Sequence, residues 1–180
     1  MYSALITFLK EQNYFIVTEY GKLHNSCCTS SKIPVLDFIA IKTKIYSVLN
    51  THMPSSLSAI FVSKANNVYF MTEAFHTTYA QDESQSIVSK FKDTVLDEKI
   101  EGTISTLSAI TSKHTIGNDF TSLLPSEPRE KIKLIIICDI PDQHYLKLRI
   151  GQLEILRSKQ HPIVGDKILM TCEKFEEQAA

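Results

Sequence analysis

Histidine and cysteine, the residues that most often bind metals, are scattered along this chain of 180 residues. No two of the six histidines lie two to four residues apart, and the four cysteines form no CxxC or CxxH pair. Zinc sites use such short spacings because neighbouring ligands must reach the same ion. The sequence therefore predicts no metal site.

Motifs of nucleophilic and phosphate-binding sites are also missing from the sequence. It contains no GxSxG, GxGxxG or GxxxxGK[ST] motif, and five glycines leave no room for a phosphate-cradling loop. Cys138 lies in an apolar run, where burial disfavours the reactive thiolate. We expect a protein that is not an enzyme and that needs no cofactor.

Aromatic and basic residues on predicted strands indicate a binding surface for protein or for single-stranded nucleic acid. Bases would stack on Tyr46, Tyr69 or Tyr145 beside lysine and arginine. The net charge of -1 gives the chain no excess of positive charge for phosphate binding. Residues 131–167 hold seven Lys and Arg against four acidic residues, whereas residues 81–130 hold five against nine. This dipolar charge favours docking to a protein, with weak or no direct binding of nucleic acid.

Hydrophobic periodicity predicts the elements that position these residues. Leu5, Phe8 and Leu9 indicate a helix over 3–12, and the alternation of Ile39, Ile41 and Ile45 indicates a strand over 38–50. Further strands are predicted at 58–63, 67–75, 100–111, 131–140 and 145–156, with a helix at 82–98, a loop at 112–130, and either a strand or a helix at 167–177.

One helix between the third and fourth strands is typical of an oligonucleotide/oligosaccharide-binding (OB) fold. The predicted fold class is therefore mainly β with flanking helices, a single five-stranded OB barrel over the 180 residues. Residues 1–34 would form an N-terminal helix and polar link, residues 35–156 the barrel, and residues 157–180 a C-terminal extension. An α+β sandwich with the same element order is the alternative.

The compartment is predicted from the cysteines and the N-terminus. No run of 18 apolar residues occurs, which predicts that no helix spans a membrane. The N-terminus has no basic leader, and Thr7 and Lys10 interrupt its apolar run, so we expect no secretory signal. Reduced thiols in the cytosol or nucleus are therefore expected.

Three segments, in order, resemble the small third subunit of the "ever shorter telomeres" set of budding yeasts, a telomerase accessory protein. TKIYSV (43–48) resembles the Thr-Lys-aromatic-Tyr opening of that family's first strand, and QSIVSKF (85–91) its Gln-x-x-Val-Ser-x-Phe segment. YLKLRIGQLEIL (145–156) resembles its closing barrel strand and is similar to the last strand of the telomerase-recruiting barrel of animal shelterin. The family's first-strand lysine carries over to Lys44, whereas its acidic partner and N-terminal tryptophan have no counterpart.

The resemblance implies a nuclear, telomeric subunit of the telomerase holoenzyme that supports telomere maintenance without catalysis. Its partners would be the telomerase reverse transcriptase and another accessory subunit. The residues expected to contact these partners are Lys42, Lys44, Lys147, Arg149, Glu154 and Lys159. A single-stranded nucleic-acid binder of the same fold, using Tyr46, Tyr69 and Tyr145, and a scaffold subunit of an unrelated complex are the alternatives.

The apolar residues of the predicted strands and helix form the expected core. These are Ile39, Ile41, Ile45, Phe91, Leu134, Ile136, Leu146 and Leu148. Their truncation would unfold the protein rather than affect docking.

Overall fold

A six-stranded mixed sheet lies at the centre of the fold. The computed structural model describes residues 4–23, 26, 28–63, 67–73, 93–114, 132–137 and 163–179. The strands are β1 (Val17–Glu19), β2 (Pro34–Asp37), β3 (Ala59–Val62), β4 (Val68–Glu73), β5 (Ile132–Ile137) and β6 (Lys167–Met170), in that spatial order. The pairs from β1 to β4 are antiparallel, whereas β4–β5 and β5–β6 are parallel.

The sheet is flanked by helices, which confirms the coarser fold prediction of β structure with flanking helices. These are α1 (Ala4–Glu11), α2 (Phe38–Leu49), α3 (Asp93–His114) and α4 (Cys172–Ala179), with a short 3-10 turn at Tyr20–Lys22. Within the described ranges, the sheet is open and does not close into a barrel.

Helices α1, α2 and α3 cover one face of the sheet, which we call the first face. Alternate strand residues point to this face, among them Ile60, Phe70 and Leu134, which are neighbours in register. The helices add the buried side chains Leu5, Ile6, Leu9, Phe38, Ile41, Ile45, Leu96, Ile100, Leu107 and Ile110. Burial of this continuous apolar layer is the main force that holds helices and sheet together.

The opposite face, which we call the second face, has a smaller apolar core. Ala59, Met71 and Ile135 point to it from the strands, and α4 and the connection between β1 and β2 cover it. A disulfide joins Cys28 of that connection to Cys172 of α4 across a sequence separation of 144 residues. The expectation of reduced thiols is therefore wrong for these two cysteines, because the fold brings together residues that no sequence spacing relates.

The first predicted strand is wrong, because residues 38–49 form α2. Phe38, Ile41 and Ile45 are buried at helical spacing, whereas Ile39 is 37% exposed on another side of the helix. The predicted burial of Ile41 and Ile45 is confirmed, and that of Ile39 is wrong. The β-branched residues of this segment favoured a strand, but the packing of α2 on the sheet overrides that propensity.

The strand predicted at 100–111 is also wrong, because this stretch belongs to α3. Its threonines favoured a strand. In α3, the hydroxyl groups of Thr103, Thr106 and Thr111 instead donate to the carbonyl oxygens of Lys99, Gly102 and Leu107, four residues earlier. These bonds satisfy buried hydroxyl groups, so the segment can pack as a helix.

Several other predictions are confirmed. Helix α1, the β3–β4 hairpin and the buried strand β5 lie where the sequence places them, with Leu134 and Ile136 buried. The ambiguous segment 167–177 is a strand followed by a helix. Strand β1 lies within 1–34, the stretch predicted as an N-terminal helix and polar link, and β6 and α4 lie within 157–180, predicted as a C-terminal extension. The predictions for 82–92, 115–131 and 145–156, including the burial of Phe91, Leu146 and Leu148, lie outside the described residues.

Candidate functional site

The exposed large apolar side chains of the described residues are concentrated on α2 and the loop that follows it. Ile39, Val48, Leu49 and Met53 belong to this region, and the fifth such residue, Val17, lies on β1. The two lysines of α2 lie among them. We call this set the α2 surface, and its members are Ile39, Lys42, Lys44, Val48, Leu49 and Met53.

Local interactions at both ends fix α2. The Asp37 side chain accepts a hydrogen bond from the Ala40 backbone N–H at 2.9 Å, which caps the N-terminus. Asn50 ends the helix in the left-handed conformation with φ of 51°, and its N–H donates to the Tyr46 carbonyl oxygen. Val48 and Leu49 occupy the last turn, where Val48 is 60% exposed. The ends of α2 thus hold its exposed residues on a rigid element.

Lys42 connects α2 to the loop that carries Met53. Its Nζ donates a hydrogen bond to the Pro54 carbonyl oxygen at 3.1 Å, and partial burial of the amine lowers the pKa of Lys42 from its ordinary value. The next part of the loop is held from α3, because the Leu57 N–H donates to Thr103 Oγ1 at 3.0 Å. Lys42, expected from sequence to contact a partner, therefore also positions the α2 surface.

Lys44 connects α2 to the turn between α1 and β1. Its Nζ donates to the Asn13 carbonyl oxygen at 2.6 Å and lies 5.4 Å from the centroid of the Tyr14 ring. Asn13 has a φ of 61°, a left-handed backbone conformation that asparagine tolerates better than most residues. The Lys44 side chain stays exposed, so its charge is available to a partner.

The segment that carries the α2 surface contains basic but no acidic residues. Between Asp37 and Glu73 the sequence contains three lysines and no aspartate or glutamate. Exposed apolar side chains accompanied by lysines are suited to a segment that offers apolar groups and carboxylates.

A groove on the second face is another concave region. It has a volume of about 650 Å³ and is lined by Ser30, Lys32, Ile33, Pro34, Phe61, Val62, Glu176 and Ala179. Its size is in the range of ligand pockets. Its two charged residues, Lys32 and Glu176, are exposed and of opposite sign, and they do not converge with a buried polar group that would select a ligand.

The two described tyrosines of the nucleic-acid alternative lie on opposite faces of the sheet. Tyr46 packs against the first-face core, whereas Tyr69 belongs to the second face and stacks on Phe61 with 5.8 Å between ring centroids. They therefore do not form one stacking surface. Tyr145 and the predicted partner contacts Lys147, Arg149, Glu154 and Lys159 lie outside the described residues.

The described residues offer neither a metal-binding cluster nor a membrane-spanning helix. Their His, Cys, Asp and Glu side chains form no group of three that could hold a metal ion. No helix among them is both long and apolar enough to cross a bilayer.

Lys42 and Lys44, which the sequence analysis expects to contact a partner, lie on the α2 surface, whereas that analysis did not single out the exposed apolar residues beside them. The missed signal was Asp37 before the segment and Asn50 after it, which are typical of a helix start and end. Helical periodicity over 38–49 places Ile39 away from the buried stripe of Phe38, Ile41 and Ile45.

Comparisons with protein-family models, with curated proteins and with solved structures gave no match to this chain.

Proposed function

We propose that this protein is a non-catalytic docking subunit whose α2 surface binds an acidic, apolar segment of a partner protein. The observation that carries the proposal is that four of the five exposed large apolar side chains of the described residues lie, with Lys42 and Lys44, on α2 and the adjoining loop. Large apolar groups on a rigid element lose little conformational freedom when a partner covers them.

The chemistry of the partner follows from the charge. Carboxylates of the partner would be attracted by Lys42 and Lys44, which raises the rate of encounter. Apolar side chains of the partner would cover Val48, Leu49 and Met53 and supply most of the binding free energy.

A narrower proposal names the assembly as the telomerase holoenzyme at nuclear telomeres. Its support is the ordered likeness of segments 43–48, 85–91 and 145–156 to the third "ever shorter telomeres" subunit. The reverse transcriptase and another accessory subunit are the proposed partners. The narrower proposal includes a closed OB barrel. The described sheet is open instead, and residues 43–48, which resemble that family's first strand in sequence, lie in helix α2.

Affinity purification of the tagged full chain from its own cells tests both the α2 docking surface and the narrower telomerase proposal. The narrower proposal expects co-purification of the reverse transcriptase, measured by mass spectrometry and by primer-extension activity. If the α2 surface is the docking site, Val48→Asp and Lys44→Glu should each reduce recovery of that partner at least about tenfold, as substitutions at interface hot spots do. Absence of the reverse transcriptase from the wild-type sample would contradict the narrower proposal.

Matched control variants separate the surface from general damage. Val17→Asp replaces another exposed valine, and Lys32→Glu reverses the charge of another exposed lysine, both outside the α2 surface. Both controls should retain the partner. Equal loss with Val17→Asp and Val48→Asp, or full retention with Val48→Asp in a folded protein, would contradict the docking site.

Titration with single-stranded telomeric DNA distinguishes the nucleic-acid alternative. The docking proposal expects no saturable binding at low salt, where phosphate contacts are strongest. Tight binding that weakens steeply with added salt would favour the alternative and would contradict docking as the main function.

A further inference from the structure

Helix α4, which covers part of the second face, is short. It has eight residues, of which Phe175 is the buried one. A helix of this length is not stable alone in water, so tertiary contacts must hold it. The disulfide between Cys28 and Cys172, the first residue of α4, is one of these contacts.

A cluster of aromatic rings lies beneath α4. The Phe175 ring meets Tyr20 and Phe61 edge to face, with centroids 5.2 Å and 5.8 Å away. Phe61 also stacks on Tyr69, and both are only partly buried with α4 in place. Movement of α4 would therefore expose a continuous aromatic surface on β3 and β4.

The disulfide lies outside the sheet. Cys28 belongs to the connection between β1 and β2, and Cys172 follows β6. Breaking the bond removes a constraint on α4 without removing a strand-to-strand hydrogen bond. Cys172 is partly exposed, whereas Cys28 is 3% exposed, so a reductant meets Cys172 first.

We propose that the Cys28–Cys172 disulfide is a redox-operated latch that holds α4 over the aromatic cluster of Tyr20, Phe61 and Tyr69. Thiol reductants such as glutathione open it. A reductant thiolate attacks the Cys172 sulfur, the protein S–S bond breaks, and Cys28 leaves as a thiolate that takes up a proton. A second thiol then displaces Cys172 from the mixed disulfide, so the protein gains two electrons and the reductant becomes a disulfide.

The released helix is suited to water. Glu173, Glu176 and Glu177 are exposed, and Lys174 is the one basic residue of α4. Phe175 and the partly buried Cys172 and Ala179 pack on the second-face core, and these contacts would oppose the departure of α4 once the loop constraint is lost. The latch is independent of the α2 surface, which lies on the first face.

Hydrogen exchange on the full chain tests the latch. Amides of residues 173–179 are compared in the air-oxidised protein and in the same protein with dithiothreitol. We expect these amides to exchange at least about tenfold faster after reduction, while β3, β4 and β5 keep their protection. Re-oxidation with glutathione disulfide should restore slow exchange.

Two serine variants provide the matched comparison. Cys172→Ser should exchange rapidly in α4 with or without reductant, whereas Cys27→Ser, which leaves the bonded pair intact, should respond to dithiothreitol as the wild type does. If Cys172→Ser fails to fold, the wild-type comparison decides alone.

Three results would overturn the latch. They are equal exchange of α4 in oxidised and reduced wild type, four free thiols in the unreduced protein after denaturation, and loss of sheet protection on reduction. Loss of sheet protection would show that the disulfide stabilises the whole fold and not α4 alone.

Discussion

At the scale of single residues, Gly102 allows α3 to approach the loop that carries Met53 closely. A Cβ atom at this position would overlap the Ser55 carbonyl oxygen. Backbone atoms cannot move aside as a flexible side chain can, so only glycine fits here.

We therefore expect Gly102→Ala to destabilise the protein by roughly 1–3 kcal/mol through overpacking, measured by urea unfolding. In an exposed helix the same change stabilises by up to about 1 kcal/mol, so the sign of the effect is informative. Ser105→Ala, at an exposed position of α3, is the control and should be nearly neutral. Stabilisation by Gly102→Ala would contradict the close packing of loop and helix.

Lys42 should make stability depend on pH. Burial lowers its pKa in the folded state below the unfolded value of 10.5. Between the two values the unfolded state binds more protons, so the free energy of unfolding rises with pH in that window. Relative to Lys42→Met, the wild type should therefore gain stability as the pH rises towards 10.5, measured by chemical denaturation at several pH values. A difference that does not change with pH would show that the amine is fully solvated.

At the scale of elements, α2 shows why a run of β-branched residues is ambiguous. Strand alternation places Ile39 and Ile41 on the same face, whereas helical periodicity separates them. The structure has Ile41 fully buried and Ile39 exposed. The different burial of these two isoleucines, which are two residues apart, thus distinguishes a helix from a strand.

We expect Ile41→Ala to cost roughly 2–5 kcal/mol, because it leaves a cavity in the first-face core. Ile39→Ala should cost less than about 1 kcal/mol, as is usual for exposed positions. The measurement is the midpoint of denaturant unfolding, with circular dichroism to confirm that each variant is folded. Equal losses for the two variants would support the strand.

At the scale of the whole molecule, an ion pair between a buried lysine and a partly exposed aspartate joins α3 to the edge of the sheet. Lys167 of β6 lies with its Nζ 3.7 Å from Asp97 Oδ1, and the Lys167 side chain is 6% exposed. Asp97 and Lys167 are 70 residues apart in the sequence, so only the complete fold brings them together.

A double-mutant cycle measures this connection. Asp97→Asn should destabilise by roughly 1–3 kcal/mol, because the buried ammonium loses its carboxylate while Asp97 itself is partly exposed. Adding Lys167→Met should recover much of the loss, since an apolar pair of similar size needs no charge compensation. Glu19→Gln, in the exposed Glu19–Lys22 pair, is the control and should change stability by less than about 1 kcal/mol. Strictly additive effects would contradict a direct interaction of Asp97 with Lys167.

The sequence alone determined the elements whose pattern has one interpretation. The apolar run of β5, the amphipathic α1 and the β3–β4 hairpin needed only local periodicity and a turn. Local sequence is enough to predict these elements because each hydrophobic pattern lies within one short stretch of the chain. Of the two lysines of α2 that were expected to face outward, Lys44 is exposed and Lys42 is partly buried.

Only the tertiary structure decided the helical state of 38–49 and 100–111, the open order of the sheet, the pairing of Cys28 with Cys172 and the exposure of Val48 and Leu49. Each depends on contacts between segments far apart in the chain. Packing against a sheet can outweigh the propensity of isoleucine and threonine for strands, because burial of several side chains is worth more than about 1 kcal/mol of local preference.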